Sequence, residues 1–141
     1  MIVSDIRLQS GPDYHEITAR IQPDAPGAGV HMVYFRTPAE LLPPPVTGDP
    51  FVAGFLTACM FDDEPLRIEG PVSREIMSSL HVFQRTYAGW FPDTLREIEV
   101  EAAEIYDRCE GLAPDRGTAA CFSAGVDSCD TLLTRDSELT H

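Results

Sequence analysis

Apolar and polar residues alternate along the first part of the chain, a pattern typical of half-buried β-strands. Two such runs, Ile2–Leu8 and Tyr14–Ile21, lie on either side of the turn sequence Gly11-Pro12-Asp13. Because a short segment with glycine and proline separates them, they predict a β-hairpin. A third run, Val30–Phe35, predicts another strand that ends at Pro38.

Helical spacing starts after this region, where apolar side chains recur every three or four residues. Asp49 and Pro50 predict a helix start, with the aspartate as N-cap and the proline at the first helical position. A longer helix is predicted from its cap at Ser73 to about Ala88. Its apolar stripe consists of Ile76, Met77, Leu80, Phe83 and Tyr87.

Two more strands are predicted in the second half of the chain. Leu66 and Ile68 indicate a brief strand that Gly70-Pro71 closes. The alternating segment Glu97–Ala102 indicates a half-exposed strand whose glutamates face water, where their like charges discourage pairing between sheet edges. Glu104–Cys109 is predicted to form a short helix.

A segment near the end of the chain combines a strand, a short loop and a helix start. Residues 118–122 are small and apolar like a buried parallel strand, and Thr131-Leu132-Leu133 resembles the first turn of a helix. A loop between such elements points several backbone N–H groups at one place, and the helix dipole adds partial positive charge there. The pattern therefore predicts an anion-binding loop.

Residues within this loop suit a phosphate ligand. Gly125 lets the backbone approach the ligand closely, and Ser123 and Ser128 supply hydroxyl donors. Asp127 has two open interpretations, because a carboxylate at this place can cap the helix or hold a Mg²⁺ ion that bridges phosphates.

The six residues Ser123-Ala124-Gly125-Val126-Asp127-Ser128 resemble the Ser-Gly-Gly-x-Asp-Ser loop of the PP-loop ATP pyrophosphatases, a superfamily that includes asparagine synthetase, GMP synthetase and NAD synthetase. In that family the loop follows the first strand of a parallel α/β domain and grips the β- and γ-phosphates of ATP, while the substrate is adenylylated at the α-phosphate. The resemblance implies ATP and Mg²⁺ as ligands, with all six residues binding the nucleotide and Asp127 binding the metal. It implies the N-terminal part of an AMP- and pyrophosphate-forming ligase or synthase.

The resemblance covers roughly the last 25 residues, judged by the strand, loop and helix pattern. Position 124 is Ala where the family has Gly, which adds a methyl group and disfavours positive φ. Adenine, ribose and acceptor contacts come from later strands in the family, so we expect chemistry beyond His141 and no turnover by residues 1–141 alone. The alternative is a non-catalytic binding or interaction domain with a degenerate PP-loop.

The predicted fold class is an α+β N-terminal domain followed by the first β-loop-α unit of a Rossmann-like α/β domain. We place the first domain at residues 1–114 and the incomplete nucleotide-binding domain at 115–141. The apolar strand at 118–122 has no parallel neighbours in this division. A homo-oligomer is therefore one of the arrangements that the sequence leaves open.

The net charge of the chain argues against some classes of binding partner. The chain of 141 residues has 23 acidic and ten basic residues, a net charge of −13, and every basic residue is arginine. The absence of lysine excludes a Walker-type phosphate loop, and the negative charge argues against nucleic acid or anionic membranes as partners. The expected partners are ATP and an unidentified small-molecule acceptor.

The remaining features predict an intracellular protein. The chain begins without the basic and apolar regions of a secretory leader, which predicts a cytoplasmic location. Its four cysteines, Cys59, Cys109, Cys121 and Cys129, form no C-x-x-C pair, so we expect buried, reduced thiols. The acidic run Asp62-Asp63-Glu64 is predicted to be a solvated loop.

Overall fold

A computed structural model describes residues 1–41, 43–107 and 126–135. These ranges contain five strands and three helices. The strands are β1 (Ile2–Ser10), β2 (Tyr14–Gln22), β3 (His31–Pro38), β4 (Leu66–Ser73) and β5 (Val100–Tyr106). The helices are α1 (Asp49–Asp62), α2 (Arg74–Trp90) and α3 (Val126–Arg135).

The five strands form one mixed sheet in the order β3-β2-β1-β4-β5. β1 pairs antiparallel with β2, and β2 pairs antiparallel with β3, so the predicted hairpin and its third strand are confirmed. β4 lies parallel to both β1 and β5. The α+β class predicted for this part of the chain is therefore correct.

The chain divides into two units, Met1–Arg108 and Cys109–His141. The first contains the whole sheet with α1 and α2, and the second contains α3. Residues 111–117, whose glycine and proline content predicts a linker, lie outside the described residues, as does the predicted strand at 118–122. The boundary between 1–114 and 115–141, and the Rossmann-like unit after it, stay predictions.

One bulge interrupts the central hairpin. The register of β1 against β2 shifts between Ser4 and Arg7, and Asp5 between them has a left-handed backbone with φ of 53°. The Asp5 carboxylate lies 3.2 Å from Arg20 Nη1 on β2 and 3.8 Å from Arg7 Nη2. An aspartate tolerates this conformation better than most residues, and its carboxylate forms ion pairs with the two arginines.

The predicted end of the fourth strand is wrong. β4 continues through Gly70 and Pro71 to Ser73, and its register against β5 shifts between Ile68 and Pro71. A proline fits a strand at such an irregularity, where one backbone N–H is not needed in the ladder. The Pro71 carbonyl accepts a hydrogen bond of 2.8 Å from the N–H of Gly48.

The short helix predicted at Glu104–Cys109 is also wrong where the structure describes it. Residues 104–106 belong to β5, with Ile105 opposite Val72 and Tyr106 opposite Ser73. Pairing with β4 overrides the local helical preference of this segment. Cys109 lies outside the described residues, and the glutamates at 97, 99 and 101 are exposed as predicted.

The helices predicted to start near Asp49 and at Ser73 are both present. α2 has Ser73 as N-cap, with Ile76 N–H donating to Ser73 Oγ over 3.5 Å, which confirms the predicted start. The cap predicted for α1 is wrong by one residue. Gly48 occupies the N-cap and Asp49 is the first helical residue, because the Asp49 carboxylate bonds to β4 and β5 instead.

The core of the first unit lies between one face of the sheet and the helices α1 and α2. Buried apolar side chains come from three strands, β1, β2 and β4, and from α1, and Leu80 of α2 and Leu95 join them. The sheet contributes Val3, Ile17, Ala19, Ile21, Leu66, Ile68 and Val72, and α1 contributes Phe51, Val52, Leu56, Cys59 and Met60. β2 follows the predicted alternation, since Ile17, Ala19 and Ile21 all point inward.

Glu64 corrects the expectation of a solvated acidic run. It is only 9% exposed, and its Oε2 accepts hydrogen bonds from the Asp24 backbone N–H at 2.9 Å and from the Met1 ammonium at 3.3 Å. A buried carboxylate requires such donors, because its desolvation is otherwise unfavourable. Asp62 and Asp63 are exposed as predicted.

Candidate functional site

The motif at residues 123–128 is divided by the start of α3. Ser123, Ala124 and Gly125 lie outside the described residues. Val126, Asp127 and Ser128 form the first turn of α3. The sequence predicted a loop through Ser128 and a helix from Thr131, so the helix begins five residues earlier than expected.

An early start of α3 changes which groups face a ligand. The first four N–H groups of an α-helix have no carbonyl partner within the helix, and the helix dipole gives that end a partial positive charge. In α3 these groups include the N–H groups of Val126, Asp127 and Ser128. The motif therefore supplies the helix end itself, together with the three residues that precede it in the chain.

The described side chains of α3 contribute few charges. Val126, Asp130, Leu133 and Thr134 are exposed, and Cys129 is a half-buried free thiol. Thr134 Oγ1 donates to the Asp130 carbonyl at 2.7 Å, a bond within the helix. The side chains of Asp127 and Ser128 are not among those described, so their predicted roles stay predictions.

Metal binding at this motif has one candidate residue. Among the described residues, no group of three or more His, Cys, Asp and Glu side chains is arranged to hold a metal ion. Mg²⁺ does not require such a cage, because it is often bound by one or two carboxylates together with substrate phosphates and water. The predicted binding of Mg²⁺ by Asp127 therefore stays a prediction.

A second polar cluster lies at the carboxyl ends of the parallel strands β4 and β5. Asp49 Oδ1 accepts from the Ser73 N–H at 2.8 Å, and Oδ2 accepts from Tyr106 Oη at 3.1 Å. Arg74 Nε and Asp107 Oδ1 form an exposed ion pair of 2.6 Å beside it. Ligands of α/β proteins often bind at this edge, but both Asp49 oxygens already bond to protein groups, which indicates a structural role.

A third cluster lies on β2 and β3. Arg36 places its guanidinium carbon 4.4 Å from the Tyr14 ring centroid and 4.7 Å from that of Tyr34. Its Nε donates to Glu16 Oε2 at 2.5 Å, and this hydrogen bond raises the pKa of the guanidinium. The sequence analysis did not identify the cluster, although the alternation of β2 and β3 would place these side chains on one face once the register is known.

No helix of the described ranges is long and apolar enough to cross a membrane. Comparisons with protein-family models, with curated proteins and with solved structures found no match to this chain.

Proposed function

We propose that residues Ser123–Ser128 bind the β- and γ-phosphates of ATP together with Mg²⁺, in the manner of a PP-loop. The chain would then be the N-terminal part of an ATP-dependent ligase or synthase that forms AMP and pyrophosphate. The acceptor substrate and its nucleophile would bind elsewhere.

The start of α3 at Val126 is the observation that supports this proposal most directly. It puts Gly125 immediately before a helix end, so the unpaired N–H groups of the first turn follow the residue that allows close approach of a ligand. Phosphates bind such helix ends in many nucleotide-binding proteins. The helix boundary brings three residues of the sequence motif, Val126, Asp127 and Ser128, into the first turn of α3.

Asp127 would act by holding Mg²⁺ on the phosphates. The chain has a net charge of −13 and no lysine, so a free triphosphate would meet a repulsive field with few cations to offset it. Magnesium would supply that positive charge when bound, while the helix end and the hydroxyls of Ser123 and Ser128 orient the phosphates. The same donors would stabilise pyrophosphate as it leaves.

Calorimetric titration with Mg·ATP and with magnesium pyrophosphate tests the proposal. We expect millimolar or tighter binding that chelation of Mg²⁺ by EDTA abolishes. Asp127→Ala should weaken binding by about tenfold or more, which corresponds to about 1.4 kcal/mol. Asp130→Ala is the matched control, because it removes the same charge from an exposed position one turn further along α3.

Circular dichroism of both variants checks that the fold is kept. Absence of binding, or equal weakening by Asp127→Ala and Asp130→Ala, would contradict the proposal. That result would favour a non-catalytic interaction domain with a degenerate loop. Nucleotide binding without turnover agrees with the proposal, since the acceptor site is placed elsewhere.

A further inference from the structure

The two outer strands of the sheet differ in how they are protected. β5 carries exposed Glu101 and Glu104, and Glu99 immediately precedes it. Charged side chains on an edge strand oppose pairing with another chain, because two such edges repel each other. This edge of the sheet is therefore protected by its own sequence.

β3, at the other edge, lacks these protections. Met32 and Tyr34 are 64% and 56% exposed, and Phe35 is also exposed. The register against β2 is unbroken over eight residue pairs, so no bulge turns the strand away, and its proline lies only at the last position, Pro38. No strand in the described ranges pairs with the outer side of β3. A long, regular and apolar edge of this kind is a template for another strand.

The distribution of acidic residues also favours β3 as the site of pairing. Residues 25–39 contain no aspartate or glutamate, although the chain has 23 acidic residues. The one arginine of β3, Arg36, is already paired with Glu16 of the neighbouring strand. Two copies of a chain with a net charge of −13 repel each other, and this repulsion is weakest where neither presents acidic residues.

We propose that β3 pairs antiparallel with β3 of a second copy about a two-fold axis, which joins the two sheets into one. An antiparallel strand edge is self-complementary, because the rotation places its N–H and carbonyl groups opposite those of its copy. An axis perpendicular to the sheet keeps Tyr34 and Arg36 on one face. In the two registers that pair most of β3, Tyr34 then lies opposite Tyr34 or Arg36 of the second copy.

This geometry also limits the size of the assembly. Each copy uses its β3 edge once, so the two-fold arrangement closes, and the glutamates of β5 oppose growth at the other edge. Pairing of one eight-residue strand is a small interface, so we expect a weak dimer with a dissociation constant between about 10 µM and 1 mM. Higher salt should strengthen it by screening the net charge.

Sedimentation equilibrium over this concentration range tests the proposal, with Tyr34→Lys as the disrupting variant. In either register the new lysine faces a positive side chain of the second copy. We expect dimerisation to weaken by about tenfold or more. Val82→Lys is the matched control, since Val82 is 58% exposed on α2 and the net charge changes equally. In both variants the added lysine makes the net charge less negative and so reduces the repulsion between two copies. Weaker dimerisation of Tyr34→Lys would therefore come from its position in β3 and not from the change in net charge.

Hydrogen exchange separates strand pairing from other association. The amides of β3 should become more protected as concentration rises, while circular dichroism confirms that both variants stay folded. A monomer at every concentration would overturn the proposal. The proposal would also be overturned if Tyr34→Lys left the dissociation constant of the dimer unchanged, or if both variants weakened the dimer equally. Because nucleotide is absent from these measurements, their outcome is independent of the proposed function.

Discussion

Tyr106 Oη donates a hydrogen bond of 3.1 Å to Asp49 Oδ2, so the last residue of β5 is tied to the first residue of α1. The other oxygen of this carboxylate accepts from the N–H of Ser73, where β4 ends and α2 begins. One side chain thus connects two strands and two helices at one edge of the sheet. These partners are 24 and 57 residues away in sequence.

Asp49→Ala should lower the free energy of unfolding by about 1 to 3 kcal/mol, because it removes the acceptor of two part-buried hydrogen bonds. Tyr106→Phe should cost about 1 kcal/mol. Urea unfolding followed by circular dichroism measures both values. If the hydrogen bond couples the two side chains, the double variant should lose less free energy of unfolding than the two single variants lose in sum. Strict additivity would contradict this coupling.

Gly48→Ala should destabilise the fold through crowding. A Cβ at this position would lie 2.3 Å from Ile68 Cγ2 and 3.1 Å from Val72 Cγ2, both on buried side chains of β4. Overpacking of a core typically costs about 1 to 3 kcal/mol. Gly29→Ala is the matched control, because nothing lies within 4 Å of its Cβ position. Equal melting temperatures for the two variants would argue against close packing at the start of α1.

Glu64→Gln should destabilise the fold although it keeps the size of the side chain. The buried carboxylate accepts from the Asp24 N–H and faces the Met1 ammonium, and a neutral amide weakens both interactions. We expect a loss of about 1 to 3 kcal/mol in urea unfolding. Asp62→Asn removes the same charge from an exposed position two residues away and should change stability by less than about 0.5 kcal/mol. A larger loss of stability in Asp62→Asn than in Glu64→Gln would show that the Glu64 carboxylate does not stabilise the fold.

Cys59 should make stability depend on pH in the alkaline range. Burial, followed by the negative charge of Glu64, raises the pKa of its thiol from 9.0 to about 11. The folded state holds this proton more tightly than the unfolded state. The associated stability, of order 2 kcal/mol, is therefore complete below pH 9 and is lost as pH rises towards 11. Cys59→Ala should show a smaller decline in unfolding free energy across this window.

The same thiol should react slowly with iodoacetamide at pH 8 in the folded protein, because it is buried and protonated. Denaturant should make it react at the rate of a free cysteine. Peptide mass spectrometry identifies the residue that is labelled. Rapid labelling of Cys59 in the folded state would contradict its burial.

Ala124→Gly should strengthen binding of Mg·ATP by about threefold, if position 124 needs the freedom that glycine has in the PP-loop family. The change restores the Gly-Gly pair of that motif. Ala113→Gly, in the predicted linker, is the control for the general effect of an added glycine. Calorimetry compares both with the parent chain. Unchanged or weaker binding in Ala124→Gly would show that the methyl group does not limit the loop.

The sequence alone determined those elements whose pattern is local. β1 and β2 follow from alternation, and β3 follows from its strand-forming aromatic residues. α2 follows from its cap at Ser73 and its helical apolar stripe. In each case the residues that decide the structure are neighbours along the chain, so the local sequence pattern is enough to predict the element. The motif at residues 123–128 is equally local, because six consecutive residues define it, and its phosphate-binding role stays a prediction.

Tertiary structure decided the elements that depend on distant partners. Residues 104–106 become a strand because β4 lies beside them, and β4 passes through Pro71 because a register shift accommodates it. Glu64 is buried because donors more than 39 residues away surround it. At the candidate site, only the structure shows that α3 begins at Val126. Local patterns specify which residues prefer helix or strand, but hydrogen bonds and burial against remote segments decide where each element ends.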